Sequence, residues 1–199
     1  NTTENGNWRY ENGSYTNQWV IGSGTYSSSS RSLYITNSPS STTPSNSYTN
    51  SSSSYVYAYR DINISSANDY EISFKWKAKG ESGCWDAMYA ALCPPSGTFP
   101  PSNITGSTNS LPSGYINVGD VTQSNNTTGA FLWTNNDIGW QTSTKTVTLS
   151  TTGTYRLVFY WKNDGSGGTN PPAAIDNVSI VKAYPLTFAA NPSAGGSVS

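Results

Sequence analysis

The sequence contains no histidine among its 199 residues. This absence removes Ser-His-Asp and Cys-His nucleophilic chemistry and any zinc site that needs a histidine ligand. Charged residues are scarce too, at 11% with a formal net charge of -1, whereas nucleic-acid binding needs a basic surface and a membrane anchor of this kind needs clustered basic residues. No apolar run approaches the roughly 20 residues of a transmembrane helix. We therefore expect neither nucleic-acid binding nor membrane insertion.

Cysteine is almost absent as well, since the chain has only Cys84 and Cys93. If one extended strand joins them, they lie roughly 30 Å apart at about 3.3 Å per residue. A disulfide between them then needs a bend in the intervening chain. The sequence leaves open whether the two residues are bonded.

Aromatic residues are plentiful by comparison, at 13% of the chain, and Ser, Thr, Asn and Gly fill much of the remainder. The core must therefore be built from Tyr, Trp and Phe more than from Leu. A polar surface of low charge is typical of secreted or cell-surface β-proteins. We therefore expect the protein to be secreted or located at the cell surface.

Period-two patterns rich in β-formers recur along the chain between turn residues. The clearest are residues 71–79 and 155–162, where large apolar side chains alternate with others. No stretch of helical length has a 3.6-residue period. The pattern predicts an all-β fold over residues 1–183, a two-sheet antiparallel β-sandwich (jelly roll) without substantial helix, although an immunoglobulin-like sandwich shares these local signals. Residues 184–199 start a new alternation and are predicted to begin a following small β-repeat module or a linker.

Two acidic residues stand at the entry of predicted strands, in phase with the apolar side chains. Asp176 is in phase with Val178 and Ile180, and Asp86 is in phase with Met88. An unpaired buried carboxylate is very costly, so each needs a partner. A cation, a backbone N–H or an arginine could serve, and the arrangement hints at a metal.

Sugar recognition requires exposed aromatic rings beside planar polar side chains. Residues 131–141 meet this requirement best, and Trp85 and Tyr115 are further candidates. The alternative is that Trp140 only holds a loop against the core. A ladder of Tyr55, Tyr57 and Tyr59 is a second possible platform, but we favour packing of these rings across strands. The candidates within 131–141 are Trp133, Asn135, Asn136, Asp137 and Trp140.

Four stretches carry a resemblance to a known family: SLYITN, YEISFKWKAKGESGCWDAMYAAL, YRLVFYWKND and PPAAIDNVSI. They resemble the MAM-like and cleaved-adhesin-like jelly-roll modules of secreted and surface proteins from Bacteroidetes-type bacteria. The resemblance implies a non-catalytic role in adhesion or glycan binding, together with a structural calcium. It makes Asp176, at the IDN position, a calcium ligand. Asp86 is added as a predicted ligand because of its strand phase, and Asp164 because it lies in the NDG loop.

These observations lead to a main functional hypothesis and two alternatives. The main one is a non-catalytic extracellular carbohydrate-binding module of a larger multimodular protein, with a polysaccharide or glycan as partner. The first alternative is an adhesin or spacer module that contacts a host or cell-surface protein or other modules of its own chain. The second is a glycoside hydrolase, which needs two carboxylates about 5 to 10 Å apart, but no acid lies in an evident catalytic motif.

Overall fold

The computed structural model describes residues 7–28, 30–81, 83, 85–101, 111–119, 131–132 and 139–184. Within these residues the chain forms β-strands and no α-helix. The strands are β1 (Arg9–Glu11), β2 (Gln18–Gly22), β3 (Ser32–Thr36), β4 (Ser54–Ile64), β5 (Asn68–Lys77), β6 (Ala87–Cys93), β7 (Ile116–Asn117), β8 (Phe131–Leu132), β9 (Gln141–Leu149), β10 (Gly153–Asn163) and β11 (Ala174–Lys182).

The strands form two antiparallel sheets. Sheet A has the order β1-β4-β10-β6-β7, with β8 also paired to β6, and sheet B has the order β2-β3-β11-β5-β9. The longest pairing joins β4 and β10, from Gly153 opposite Ile64 to Asn163 opposite Ser54. The predicted all-β, two-sheet antiparallel sandwich is therefore confirmed.

The core between the sheets is aromatic, as the composition indicates. The period-two pattern of β10 points Leu157, Phe159 and Trp161 inward, and none of the three has exposed surface. Phe159 meets Phe74 of β5 edge-on, with ring centroids 5.1 Å apart. Such ring pairs contribute stabilisation in addition to the hydrophobic effect of the area that they bury. A few large rings can therefore replace the missing aliphatic residues.

The outer face of sheet A carries a second, smaller cluster of buried residues. Tyr57, Tyr160 and Tyr89 occupy opposite positions on β4, β10 and β6, and successive ring centroids lie 4.9 and 4.7 Å apart. Phe99 and Tyr115 pack on this cluster from the chain that follows β6. The tyrosines of β4 therefore pack across strands, as we favoured, and do not form an open ladder.

Several other expectations can be placed on the fold. Cys93 carries a free, buried thiol. No helix long and apolar enough to cross a membrane occurs in the part of the chain that the structure describes. Tyr184 is the last described residue, so the predicted module boundary near it stays a prediction. The short strand β1 escaped the sequence analysis because its three side chains are all exposed and show no alternation.

Candidate functional site

Asp86 lies at the entry of β6 and has no exposed surface. Its Oδ2 accepts a hydrogen bond from the Tyr48 hydroxyl at 2.5 Å, and its Oδ1 accepts one from the Asp164 backbone N–H at 3.2 Å. Burial raises the pKa of Asp86 to about 6, while the two hydrogen bonds act in the opposite direction. These two hydrogen bonds hold the carboxylate in place.

Glu81 and Asp164 complete an acidic cluster around Asp86. One carboxylate oxygen from each of the three residues lies within 4.8 Å of the other two. The Oε2 atom of Glu81 is buried and has no hydrogen-bond partner among the described residues. Burial and then the nearby Asp164 charge raise the pKa of Glu81. Like charges this close destabilise one another unless a proton or a cation neutralises them.

The glycine-rich loop after β10 closes over this acidic cluster. Gly168 has a φ of 72°, and a Cβ there would collide with Asp86 Oδ2 and the Tyr48 hydroxyl. A Cβ on Gly167 would collide with the Glu81 carboxylate. The bridge between Gly80 and Thr169 ties the loop to the turn that carries Glu81. Only a backbone without side chains can approach the Asp86 and Glu81 carboxylates this closely.

The donor set of the acidic cluster fits a hard cation. Calcium prefers six to eight oxygen ligands, with carboxylates prominent among them. Asp164 Oδ1 already accepts the Ser166 N–H at 2.9 Å and the Ser166 hydroxyl at 3.2 Å, so its Oδ2 is the atom left for an ion. The orphaned oxygen of Glu81 and the glycine cradle are consistent with such a ligand.

The predicted metal ligands fall into two separate places. Asp86 and Asp164 come together in the acidic cluster, whereas Asp176 lies on β11 in sheet B. Glu81 was not predicted as a ligand; it reaches the cluster because its N–H donates to the Asp86 carbonyl at 3.0 Å. The signal in the sequence was a glutamate five residues before Asp86, with Gly80 directly before that glutamate and Gly83 between the two acids.

Asp176 has its own partners. It is fully buried, and its Oδ2 accepts the backbone N–H groups of Ser27 at 2.8 Å and Ser28 at 3.1 Å. Its Oδ1 accepts the N–H of Asn177 at 2.7 Å. Backbone N–H donors, one of the three partners foreseen for this acid, therefore stabilise its charge. Its role as a calcium ligand stays a prediction.

An aromatic patch lies beside the acidic cluster and is formed by the exposed rings of Tyr15 and Trp85 and the half-buried ring of Tyr55. Trp85 is 46% exposed, and its ring centre is 5.9 Å from Lys162 Nζ. Lys162 is paired with Tyr55 in the sheet, and Tyr55 meets Tyr15 edge-on at 5.9 Å. Trp85 directly precedes Asp86 in the chain, so the patch and the acidic cluster adjoin. Burial and then the Asp164 charge raise the pKa of Tyr55.

The other predicted binding residues lie elsewhere. Trp140 is half-buried, with the Lys77 ammonium 5.5 Å from its ring centre, at the border of β5 and β9 in sheet B. Tyr115 packs on the outer tyrosines of sheet A and donates its hydroxyl to the Thr98 carbonyl at 2.8 Å. The structure therefore does not bring Trp85, Tyr115 and Trp140 into one site. The remaining predicted residues lie outside the described ones: Trp133, Asn135, Asn136 and Asp137.

Comparison with known proteins finds relatives in structure but not in sequence. No protein-family model and no curated protein matches the chain. Among solved structures, the chain is similar to TmCBM61 in complex with β-1,4-galactotriose, with a TM-score of 0.51, 11% identity and 88% of each chain covered. It is also similar to the CBM22-1 xylan-binding domain of Paenibacillus barcinonensis Xyn10C, with a TM-score of 0.48, 14% identity and coverage of 89% of this chain and 87% of that one.

A third similar structure is a xylan-binding domain of family 22, with a TM-score of 0.49, 15% identity and coverage of 92% and 90% of the two chains. The likeness to TmCBM61 shows that this chain has a jelly-roll β-sandwich fold. At such low identity the likeness concerns the fold alone. The resemblance to MAM-like and cleaved-adhesin-like modules, and the bacterial group that it suggests, stay predictions.

Proposed function

We propose that the chain is a non-catalytic carbohydrate-binding module of a secreted or cell-surface multimodular protein, and that the sugar stacks on the aromatic patch. The observation that carries this proposal is the exposed ring of Trp85, beside the half-buried Tyr55 and the exposed Tyr15. Aromatic rings offer sugars a flat apolar face, and adjacent polar groups fix the orientation. The half-buried Asp164 and Glu81 supply charged groups at the border of the patch, and the fully buried Lys162 lies beneath the Trp85 ring.

The choice of the first sugar to test comes from the comparison. The structural neighbour with a TM-score of 0.51 was solved with a β-1,4-linked galactotriose. An oligosaccharide of this kind is long enough to cover more than one ring of a patch. We therefore propose a β-linked polysaccharide as the ligand class, with the predicted segment around Trp133, Asn135, Asn136, Asp137 and Trp140 as a second contact surface to be tested separately.

The acidic cluster is proposed to hold calcium. Three carboxylates in a buried setting supply oxygen ligands of the right kind, and the ion would neutralise the repulsion between them. Its role is structural: it would fix the glycine-rich loop next to β10 and so hold the border of the aromatic patch. Asp176 stays a second predicted ligand. Because three N–H groups already donate to its carboxylate, the acidic cluster is the first place to test for calcium.

The two alternatives make different demands on the structure. A retaining glycosidase needs two carboxyl groups about 5 to 5.5 Å apart, and an inverting one needs about 6.5 to 9.5 Å. The carboxylate oxygens of the cluster lie within 4.8 Å of one another, and Asp86 is fully buried. This arrangement favours a bound cation, because a glycosidic bond could not reach the space between the carboxylates. An adhesin or spacer needs no exposed aromatic patch beside polar groups, so the patch favours carbohydrate binding.

A glycan array that covers plant and host polysaccharides, including β-1,4-galactans and xylans, tests the proposed function. The protein is applied in calcium buffer after its folding has been shown by a cooperative melt. We expect binding to one polysaccharide family. A clean negative from folded protein would overturn the proposal and direct the search to protein partners.

Calcium is expected to raise the melting temperature at pH 7. A ligand at about 100 times its Kd stabilises the folded state by about 2.7 kcal/mol, which corresponds to about 5–10 °C for a domain of this size. The raised pKa values of Asp86 and Glu81 mean that the folded state binds more protons than the unfolded state as pH falls from 7 to 5. In EDTA the melting temperature should therefore rise from pH 7 to pH 5, and the gain from calcium should shrink.

Matched variants separate the two predicted metal positions. The double variant E81Q/D164N should lose the calcium response. D176A should melt lower in both calcium and EDTA, because three N–H groups lose their acceptor, yet keep the response. The reverse pattern would assign the ion to Asp176, and no response in the wild-type protein would remove calcium from the proposal.

A further inference from the structure

A cavity of about 300 Å³ opens between the two sheets, on the side where β1 and β3 are short. β1 pairs with β4 only from Tyr57 to Tyr59, and β3 pairs with β11 only at Ala174 and Ile175. In the described part of the chain, the last residues of β4 and of β11 therefore have no strand on this side. Both sheets lack an outer strand at the same place, and the cavity lies there.

Six of the nine residues that line the cavity are apolar, and the other three are Arg60, Asp61 and Asn63. Leu157 of β10, Ile64 of β4 and Val178 of β11 are buried side chains that line it. Tyr70 of β5 contributes its ring, because its hydroxyl is turned away and donates to the Ser66 carbonyl at 2.9 Å. The half-buried residues Ile62 and Ile180 complete the apolar surface.

Arg60 is the charged group on the inward side of this cavity. It is in phase with the buried residues Val56 and Ala58 and stands opposite Leu157, which is also inward. The ion pairs formed by the described residues all use Asp61, which binds Arg9 and Arg156 on the outer face of sheet A. Asp61 also lines the cavity, but its carboxylate is paired with Arg9 and Arg156. Arg60 is therefore left without a carboxylate partner among the described residues.

We propose that this cavity binds a small carboxylate with an apolar body. The guanidinium of Arg60 would hold the carboxylate through paired N–H donors, the geometry for which arginine is suited. The apolar body would lie against the aliphatic side chains that line the cavity. A volume of about 300 Å³ is at the small end of ligand pockets, so the ligand is a short-chain or branched acid and not a polymer.

This site is independent of the aromatic patch. Arg60 points to the inner side of sheet A, and none of the residues that line the cavity belongs to the patch or to the acidic cluster. The proposal does not depend on carbohydrate binding, and either can fail while the other stands.

The test is a titration of the isotope-labelled protein with hexanoate, followed by ¹H–¹⁵N NMR. We expect shifts of the amides around the cavity, at residues 60–64 and 178–180, with hexan-1-ol at least tenfold weaker. R60Q should weaken hexanoate binding at least tenfold. K145Q removes the same charge from a half-buried position on β9 away from the cavity and should leave the affinity unchanged.

A second variant keeps the proposal testable if R60Q does not fold. I180F fills the cavity while it leaves Arg60 in place, and it should abolish the shifts at an unchanged melting temperature. Equal affinity for hexanoate and hexan-1-ol, equal affinity of R60Q and wild type, or tighter binding of glucuronate than of hexanoate would each overturn the proposal. The last result would mean an acidic sugar in place of an apolar acid.

Discussion

Replacing Trp85 by alanine is expected to weaken binding of the glycan that the array identifies by tenfold or more. A tenfold loss corresponds to about 1.4 kcal/mol, and aromatic residues that anchor an interface often contribute more than this. The ring is 46% exposed, so its removal costs little core packing and the protein should melt within a few degrees of wild type. Isothermal titration with a defined oligosaccharide measures the change directly.

The controls for this substitution come from the same chain. Tyr26 is 50% exposed on a loop outside the aromatic patch, so Y26A removes a comparable exposed ring and should leave binding unchanged. Y55A and Y15A should weaken binding because both rings belong to the patch. If W85A binds as wild type while W140A loses the ligand, the sugar site belongs to the segment around Trp140 and the proposed location is wrong.

The strands of this fold are largely predictable because their signal is local. In β5 and β10 the inward side chains recur every second residue, from Ile72 to Trp76 and from Tyr155 to Trp161. Burial on one face of a sheet enforces that period, so the pattern alone predicts both strands and their inward faces. The same rule correctly places Asp86 and Asp176 among buried residues.

The partners of those acids were not predictable, because they come from distant loops without periodicity. Tyr48 reaches Asp86 from the long loop between β3 and β4, and Ser27 reaches Asp176 across 149 residues of sequence. Phase shows that a carboxylate is buried, but only the folded chain shows whether a hydroxyl, an N–H group or another acid meets it. Glu81 was missed for this reason.

The binding residues show the same limit. Trp85, Tyr115 and Trp140 were predicted from residue type alone. In the fold, Trp85 lies in the aromatic patch, Tyr115 in the covered outer cluster of sheet A, and Trp140 at sheet B. Tyr15 joins the patch only because the chain before β2 passes over β4. Proximity between segments depends on strand order, and strand order has no signature in local composition.

Replacing Gly168 by alanine is expected to lower the free energy of unfolding by about 3 kcal/mol. Part of the loss, about 1–2 kcal/mol, comes from forcing an alanine into a left-handed backbone conformation. The rest comes from steric conflict, because the new Cβ would collide with both the Asp86 carboxylate and the Tyr48 hydroxyl. Overpacking of this kind costs about 1–3 kcal/mol, and both groups are buried and bonded to each other, so neither can withdraw freely.

Gly114 provides the matched control for this substitution. Its φ of 81° is close to the 72° of Gly168, but nothing lies within 4 Å of a Cβ built there. G114A should therefore show the backbone cost alone, and urea unfolding of both variants isolates the steric part as their difference. Equal losses would mean that the glycine-rich loop yields without cost. A larger loss in G168A, together with a weaker response to calcium, would show that the close approach of this loop is what holds the three carboxylates together.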